Sequence, residues 1–219
     1  GTVFPVEISA STFTYKGRKV LCGIIRDIAA RKEAERRLDA QHVVTKVLSE
    51  STTLNEALSR ILSSMCSALE WDLGEAWLFD PKNNVLRCSD IWHTASVEVL
   101  EFKTVTRQAT FSPGIGLPGS VLSKAKPVWI ADVVHDANFP RAPVAEKGGL
   151  HGAFGFPILA GKEVLGVISI YSRDIKEPDK DLLDLVEDIG RRIGLFIMRN
   201  QAEEQIKASL KEKEVLLEE

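Results

Sequence analysis

The run "PGIGLPGSVLSKAKPVWIAD", Pro113 to Asp132, sets the tightest limit on the fold. Gly114, Gly116 and Gly119 spell G-x-G-x-x-G, the spacing of a loop that cradles a dinucleotide pyrophosphate between a buried strand and a long helix. The surrounding residues do not supply that setting. The preceding "TRQATFS" is too polar for a central parallel strand, and only seven residues separate Gly119 from Pro127, about two helical turns. A crossover between parallel strands takes a dozen or more residues. The glycines therefore read as an architectural turn, with Pro118 suited to the first turn of a short helix.

The rest of the chain divides into alternating apolar patterns and turn signals. "TVFPVEISASTFTYKGRKVLCGIIRDI" reads as two strands joined at Tyr15-Lys16-Gly17-Arg18. A lone hairpin is marginal in water, so the chain is expected to begin inside a domain whose remainder is missing. "AARKEAERRLDAQHVVTKVLSE" is free of Gly and Pro and reads as a helix. Ala34, Leu38, Gln41, Thr45 and Leu48 form a weak coiled-coil seam on it. The competing reading is a solvated helix resting on its own domain; the seam is preferred because the helix lacks a broad apolar face.

Thr53 and Glu56 form a T-x-x-E capping box that starts a new helix, with Leu54, Leu58, Ile61, Met65 and Leu69 as its apolar stripe. "LGEAWLFD", the turn "PKNN" and "VLRCSDIW" make a hairpin, and "PVWIADV" is a third strand. "GAFGFPIL", the turn "AGKE" and "VLGVISIYS" make a second hairpin. Pro178 opens a long helix that buries Leu182, Leu185, Ile189, Ile193 and Phe196. Beyond Arg199 only Ile206, Leu210 and Leu217 keep one side apolar, a stripe thin enough to require a partner helix.

Composition excludes several classes. A formal net charge of -3 is not the basic excess of a nucleic-acid binder. No segment approaches the roughly 20 apolar residues of a membrane span, and no signal peptide is recognisable, so a cytoplasmic setting is expected. The three cysteines, Cys22, Cys66 and Cys88, are scattered without a C-x-x-C pair, which fits a reducing compartment and excludes a zinc site of the usual spacing.

The G-x-G-L-P-G turn, the P-V-W-I-x-D-V strand, the G-F-P-I strand, and G-x-E-V-x-G-V followed by E-P-D together resemble a GAF domain. With the first helix and hairpin, the resemblance covers residues 46 to 198. The opening segment resembles the last strands of a PAS domain, and "RDIAARKEAERRL" is similar to the D-I-T motif that leads into a PAS linker helix, with Ala29 where Thr is usual. "ASLKEKEVLLEE" resembles the approach to the phosphoacceptor helix of sensor histidine kinases. The resemblances imply an α+β fold, an antiparallel sheet flanked by helices. They divide the chain into residues 1–28 (PAS strands), 29–52 (linker helix), 53–198 (GAF domain) and 199–219 (output helix). They also imply a sensory module that dimerises through its terminal helices at Leu38, Thr45, Leu48, Ile206, Leu210 and Leu217, with a kinase domain downstream in cis.

By the same resemblance the ligand layer is "DVVHDANFPRAPVAEKGGLH", together with the sheet face carrying Trp129, Ser169 and Tyr171. Trp129 and Tyr171 are ligand platforms or core aromatics. Asp132 binds ligand or caps a turn. Arg141 holds an anionic ligand bidentately or makes a surface ion pair. His151 ligates a haem or serves as a structural histidine, and His93 and His135 are expected at the surface. The small-molecule ligand and any cofactor are not identified. A covalently attached bilin is disfavoured, because no cysteine lies in the ligand layer, and the N-K-F-D-E set of cyclic-nucleotide GAF domains is not recognisable. Two alternatives remain: a ligand-free dimerisation spacer, and a GAF-fold reductase of free methionine sulfoxide, for which the cysteines are badly placed.

Overall fold

The computed structural model of the protein describes residues 4–218, with side-chain surroundings for 4–207, 209 and 210. Strands β1 (Val6–Tyr15) and β2 (Arg18–Asp27) form the N-terminal hairpin, turning through Lys16 and Gly17, both at positive φ. All of its strand residues are exposed. Helix α1 (Ala29–Glu50) follows, then α2 (Leu54–Leu69). The Thr53 hydroxyl accepts from the Glu56 N–H, one half of the capping box, while the Glu56 carboxylate accepts from the Thr52 N–H.

The central sheet contains β3 (Leu73–Asp80), β4 (Val85–His93), β5 (Thr110–Phe111), β6 (Val128–Ile130), β7 (Ala153–Ala160) and β8 (Glu163–Tyr171). Their order is β5-β4-β3-β8-β7-β6, with every pair antiparallel. That arrangement excludes the parallel dinucleotide-binding sheet. The glycine run leads into α4 (Gly116–Lys124), and two of its three glycines are steric requirements. A Cβ on Gly119 would overlap the Ser112 carbonyl oxygen, and Gly116 has φ +64° against the Phe111 ring.

The sheet separates two apolar cores. On one face, Ala76 of β3, Phe154, Phe156 and Ile158 of β7, and Ile168 and Ile170 of β8 pack against α1, α2 and the long helix α6 (Lys180–Glu218). Each large side chain buried there contributes about 1.5–3 kcal/mol. On the other face, Leu73, Trp77, Val167 and Tyr171 meet α3 (Leu100–Gln108), α4 and α5 (Ala142–Lys147). Strand alternation assigns these sets, since successive side chains point to opposite faces.

Two sequence expectations change at α1 and α6. Helix α1 does rest on its own domain: Ala40, Val44 and Val47 are buried against the helical core, and Leu48 is partly packed there. Thr45 accepts a hydrogen bond from Arg192 of α6 at 3.1 Å, so of the seam residues only Leu38 is a large exposed hydrophobe. The preferred seam reading therefore gives way to the intramolecular one over this half of the helix. Helix α6 begins at Lys180, two residues after Pro178, because the Asp179 carboxylate accepts from the Leu182 N–H at 3.0 Å and caps it.

Helix α6 also approaches β7 more closely than its apolar stripe suggests. A Cβ on Gly190 would overlap the Pro157 carbonyl oxygen, and one on Gly194 that of Leu159. Two glycines four residues apart let the helix backbone lie directly on the strand. Pro157 lies beyond the short stretch where β6 pairs with β7, so its missing N–H leaves no broken ladder on that side.

Candidate functional site

The centre of the face opposite α6 is polar. Glu75, on β3 between Leu73 and Trp77, is fully buried, and Arg141 is 4% exposed. Arg141 leads into α5 and reaches in from the irregular connection between β6 and β7. Its two terminal nitrogens donate to the Glu75 carboxylate at 2.5 Å and 3.0 Å, a bidentate pair. Arg141 also donates to the Thr106 hydroxyl and, at 2.8 Å, to the Tyr171 hydroxyl. Tyr171, Thr106 and the Trp77 indole in turn donate to Glu75 at 3.0, 3.1 and 3.1 Å. Five hydrogen bonds thus converge on one carboxylate, enough to hold a charge in an apolar interior.

Five aromatic rings surround the guanidinium. Its carbon lies 4.6 to 5.8 Å from the ring centres of Phe102, Phe111, Trp77, Phe139 and Tyr171. Such faces attract a cation through their quadrupoles. Burial alone would lower the Arg141 pKa, but the Glu75 charge and the bonds to Glu75 and Tyr171 outweigh it and raise the value. Burial pushes the Tyr171 phenol well above its ordinary range, so it stays a neutral donor. The Nε–H of Arg141 is buried and finds no acceptor among the described residues.

The six residues singled out in the sequence do not form one site. Arg141, Ser169 and Tyr171 share the face just described, where Ser169 on β8 pairs in register with Glu75. Arg141 is neither at the surface nor open to an anion, because Glu75 already occupies its fork. Trp129 belongs to the opposite face. It stacks on Phe154 at 5.4 Å, meets Trp71 edge-on at 5.5 Å, and donates from its indole to the Lys176 carbonyl at 2.7 Å. The expectation that it shares a face with Ser169 and Tyr171 is corrected by strand alternation.

Asp132 and His151 lie outside the polar cluster. Asp132 accepts from the Val134 N–H at 3.1 Å, capping a turn, and bonds His151 at 3.0 Å and the exposed His135 at 2.7 Å. Its burial opposes ionisation, yet these bonds hold its carboxyl down at about 2. His93, expected at the surface, is part-buried and meets the Lys103 amine at 3.1 Å. Among the described residues no group of His, Cys, Asp and Glu is placed to hold a metal ion.

Sequence reading missed Glu75, Thr106 and the rings of Trp77, Phe102, Phe111 and Phe139. A signal existed for the first: "LGEAWLFD" carries one acid on the same alternating face as Leu73 and Trp77. The cysteines sit apart, Cys22 on the exposed hairpin, Cys66 in the helical core and Cys88 on β4. Burial raises both inner thiols, Cys88 to about 12, which leaves little nucleophilic thiolate at neutral pH.

Similarity to known proteins agrees with this architecture. A family model described as "GAF domain" matches residues 51–198. The methyl sulfide methyltransferase-associated sensor of Methanosarcina acetivorans is 25% identical over 85% of this chain and 18% of that protein. The chain spans about a fifth of the length of the curated relatives it matches. The solved GAF domain of a phosphoenolpyruvate-protein phosphotransferase from Coxiella burnetii superposes with a TM-score of 0.65 at 19% identity, covering 78% of this chain and 98% of that one. A free methionine-R-sulfoxide reductase from Neisseria meningitidis gives 0.64 at 13% identity, covering 78% and 93%. With its antiparallel sheet lying between terminal helices and a short-helix layer, the chain belongs to the GAF domain family.

Proposed function

We propose that the chain is the sensory part of a signal-transduction protein, in which a change in the layer around Arg141 is relayed through the sheet to α6 and on to a kinase domain in cis. One observation carries this reading. The sheet holds the Arg141–Glu75 pair on one face, and on the other its β7 backbone lies against Gly190 and Gly194 of α6. A rearrangement that moves β7 should move α6, because at Gly190 and Gly194 no helix side chain separates the two backbones and Phe156 and Ile158 pack tightly around them. The Methanosarcina relative named as a sensor supports the same class of function.

The exit and entry helices are joined directly. Arg37 of α1 binds Asp179 at 2.5 Å and Asp181 at 3.1 Å at the start of α6, and Arg192 reaches Thr45 further along. The two helices therefore run side by side in the same direction. In the proposed assembly the hairpin completes a PAS-like domain upstream, and two copies of the chain pair through their terminal helices. The exposed Leu38, Leu195, Ile206 and Leu210 support that pairing, while the Leu217 side chain lies outside the described residues. Among the described residues no helix is long and apolar enough to cross a membrane.

For such a relay, ligand binding must favour one helix arrangement. Driving it from 1:99 to 99:1 takes about 5.5 kcal/mol of differential binding. Light scattering on the double variant Ile206→Glu, Leu210→Glu tests the dimer: a halved mass with an unchanged GAF core is expected, and a mass equal to that of the wild type contradicts the pairing.

A further inference from the structure

The two partners of the buried ion pair are not equally anchored. Glu75 stands on β3, flanked on both sides by β4 and β8, and Trp77 and Tyr171 lie on the same sheet. Phe111 and the α3 residues Phe102 and Thr106 complete the walls. Arg141 instead comes from the long connection between β6 and β7, which is no part of the sheet ladder there and is held by the burial of Val133, Phe139, Ala145 and Leu150 and by a few polar contacts. Asn138 bonds the Gly114 carbonyl and the Gly116 N–H, and Lys147 pairs with Glu101. Taking the arginine away leaves a carboxylate at the bottom of an aromatic cage, with the Thr106 and Tyr171 hydroxyls free to accept hydrogen bonds. That remainder is complementary to a cation and repels an anion.

We infer that the ligand-side layer is a receptor for a small organic cation, of guanidinium or alkylammonium type, and that the Arg141 side chain is its built-in occupant. The tethered guanidinium fits incompletely, since its buried Nε–H has no acceptor among the described residues. A free cation need not bury that donor. Binding expels the Arg141 side chain and shifts the start of α5 that carries it, the kind of local rearrangement a sensor can pass on. The inference rests on the sensory reading above, but its failure is separable. Helix–sheet coupling is measured without any ligand, so a null titration with coupling retained overturns only the cation receptor.

The test uses the full 219-residue chain. Methylguanidinium and tetramethylammonium are titrated against Arg141→Ala, with urea as the neutral isostere and potassium chloride as the ionic control. Saturable stabilisation of Arg141→Ala by either cation is expected, roughly 5–10 °C in Tm at 100 times its Kd. The wild type should need at least about tenfold more cation, because its own arginine competes at high effective concentration. The double variant Glu75→Gln, Arg141→Ala should lose the response. If Arg141→Ala does not fold alone, methylguanidinium must restore its near-ultraviolet aromatic signal. Equal responses to urea or potassium chloride, no saturable response, or a chain that stays unfolded in saturating methylguanidinium would each overturn the inference.

Discussion

Arg141 and Glu75 meet through two hydrogen bonds, 2.5 and 3.0 Å long, in the interior of the sheet face opposite α6, 66 residues apart in sequence. A buried pair of this kind is weak evidence of net stability, because removing two charges from water costs much of what their attraction returns. Breaking it on one side is another matter. Arg141→Met should cost about 3–5 kcal/mol, since the Glu75 carboxylate is left unpaired. The double variant Glu75→Gln, Arg141→Met should recover part of that loss. Urea unfolding of the two singles and the double checks this, and purely additive losses would show that the charges are not coupled.

The fit of α6 on β7 depends on the absence of two side chains. Alanine is favoured over glycine inside a helix by about 1 kcal/mol. At Gly194, however, the added Cβ must displace the Leu159 backbone, and overpacking of this kind typically costs about 1–3 kcal/mol. Gly194→Ala should therefore lower Tm where propensity alone would raise it. A gain in Tm would mean that the helix sits further from the strand than the structure shows.

Asp132 gives the fold an acid-sensitive contact. Its carboxyl is held at about 2 in the folded chain, mainly through bonds from His135 and His151 that overcome its desolvation. A depressed folded value contributes stability above the ordinary carboxylate range, near 3.9, and loses it as pH falls toward 2. Wild-type unfolding midpoints should thus drop between about pH 4 and pH 2. Asp132→Asn should be less stable at neutral pH and show a shallower fall. Parallel acid limbs for the two proteins would rule out this contribution.

Much of the fold was legible in the sequence because it rests on local periodicity. The hairpins "LGEAWLFD"–"VLRCSDIW" and "GAFGFPIL"–"VLGVISIYS" announced themselves by short apolar runs around turn residues, and the glycine run failed the spacing test for a parallel crossover. Helix α3 was missed. It holds one large buried residue, Phe102, while its Leu100 is exposed and most of the rest is polar, so no stripe marked it.

The site was harder to read than the fold. Which face Trp129 takes depends on the register of the three-residue strand β6, and no pattern that short reveals its register. Glu75 was visible as the one acid on the Leu73–Trp77 face of an apolar strand, but nothing local says that its partner is the arginine of a connection far along the chain. Gly190 and Gly194 looked like tolerated helix glycines until the strand backbone appeared beneath them.

The central claim is that disturbing the Arg141 face moves α6 on the other side of the sheet. Spin labels at the exposed positions Lys46 of α1 and Gln201 of α6, in a Cys22→Ser background, report the separation of the two helices by pulsed electron spin resonance. Introducing Arg141→Met should shift that distance distribution by about 1–2 Å or broaden it by as much, the scale of interhelical movements in switching proteins. A folded Arg141→Met protein whose distribution overlays the wild type would contradict the account.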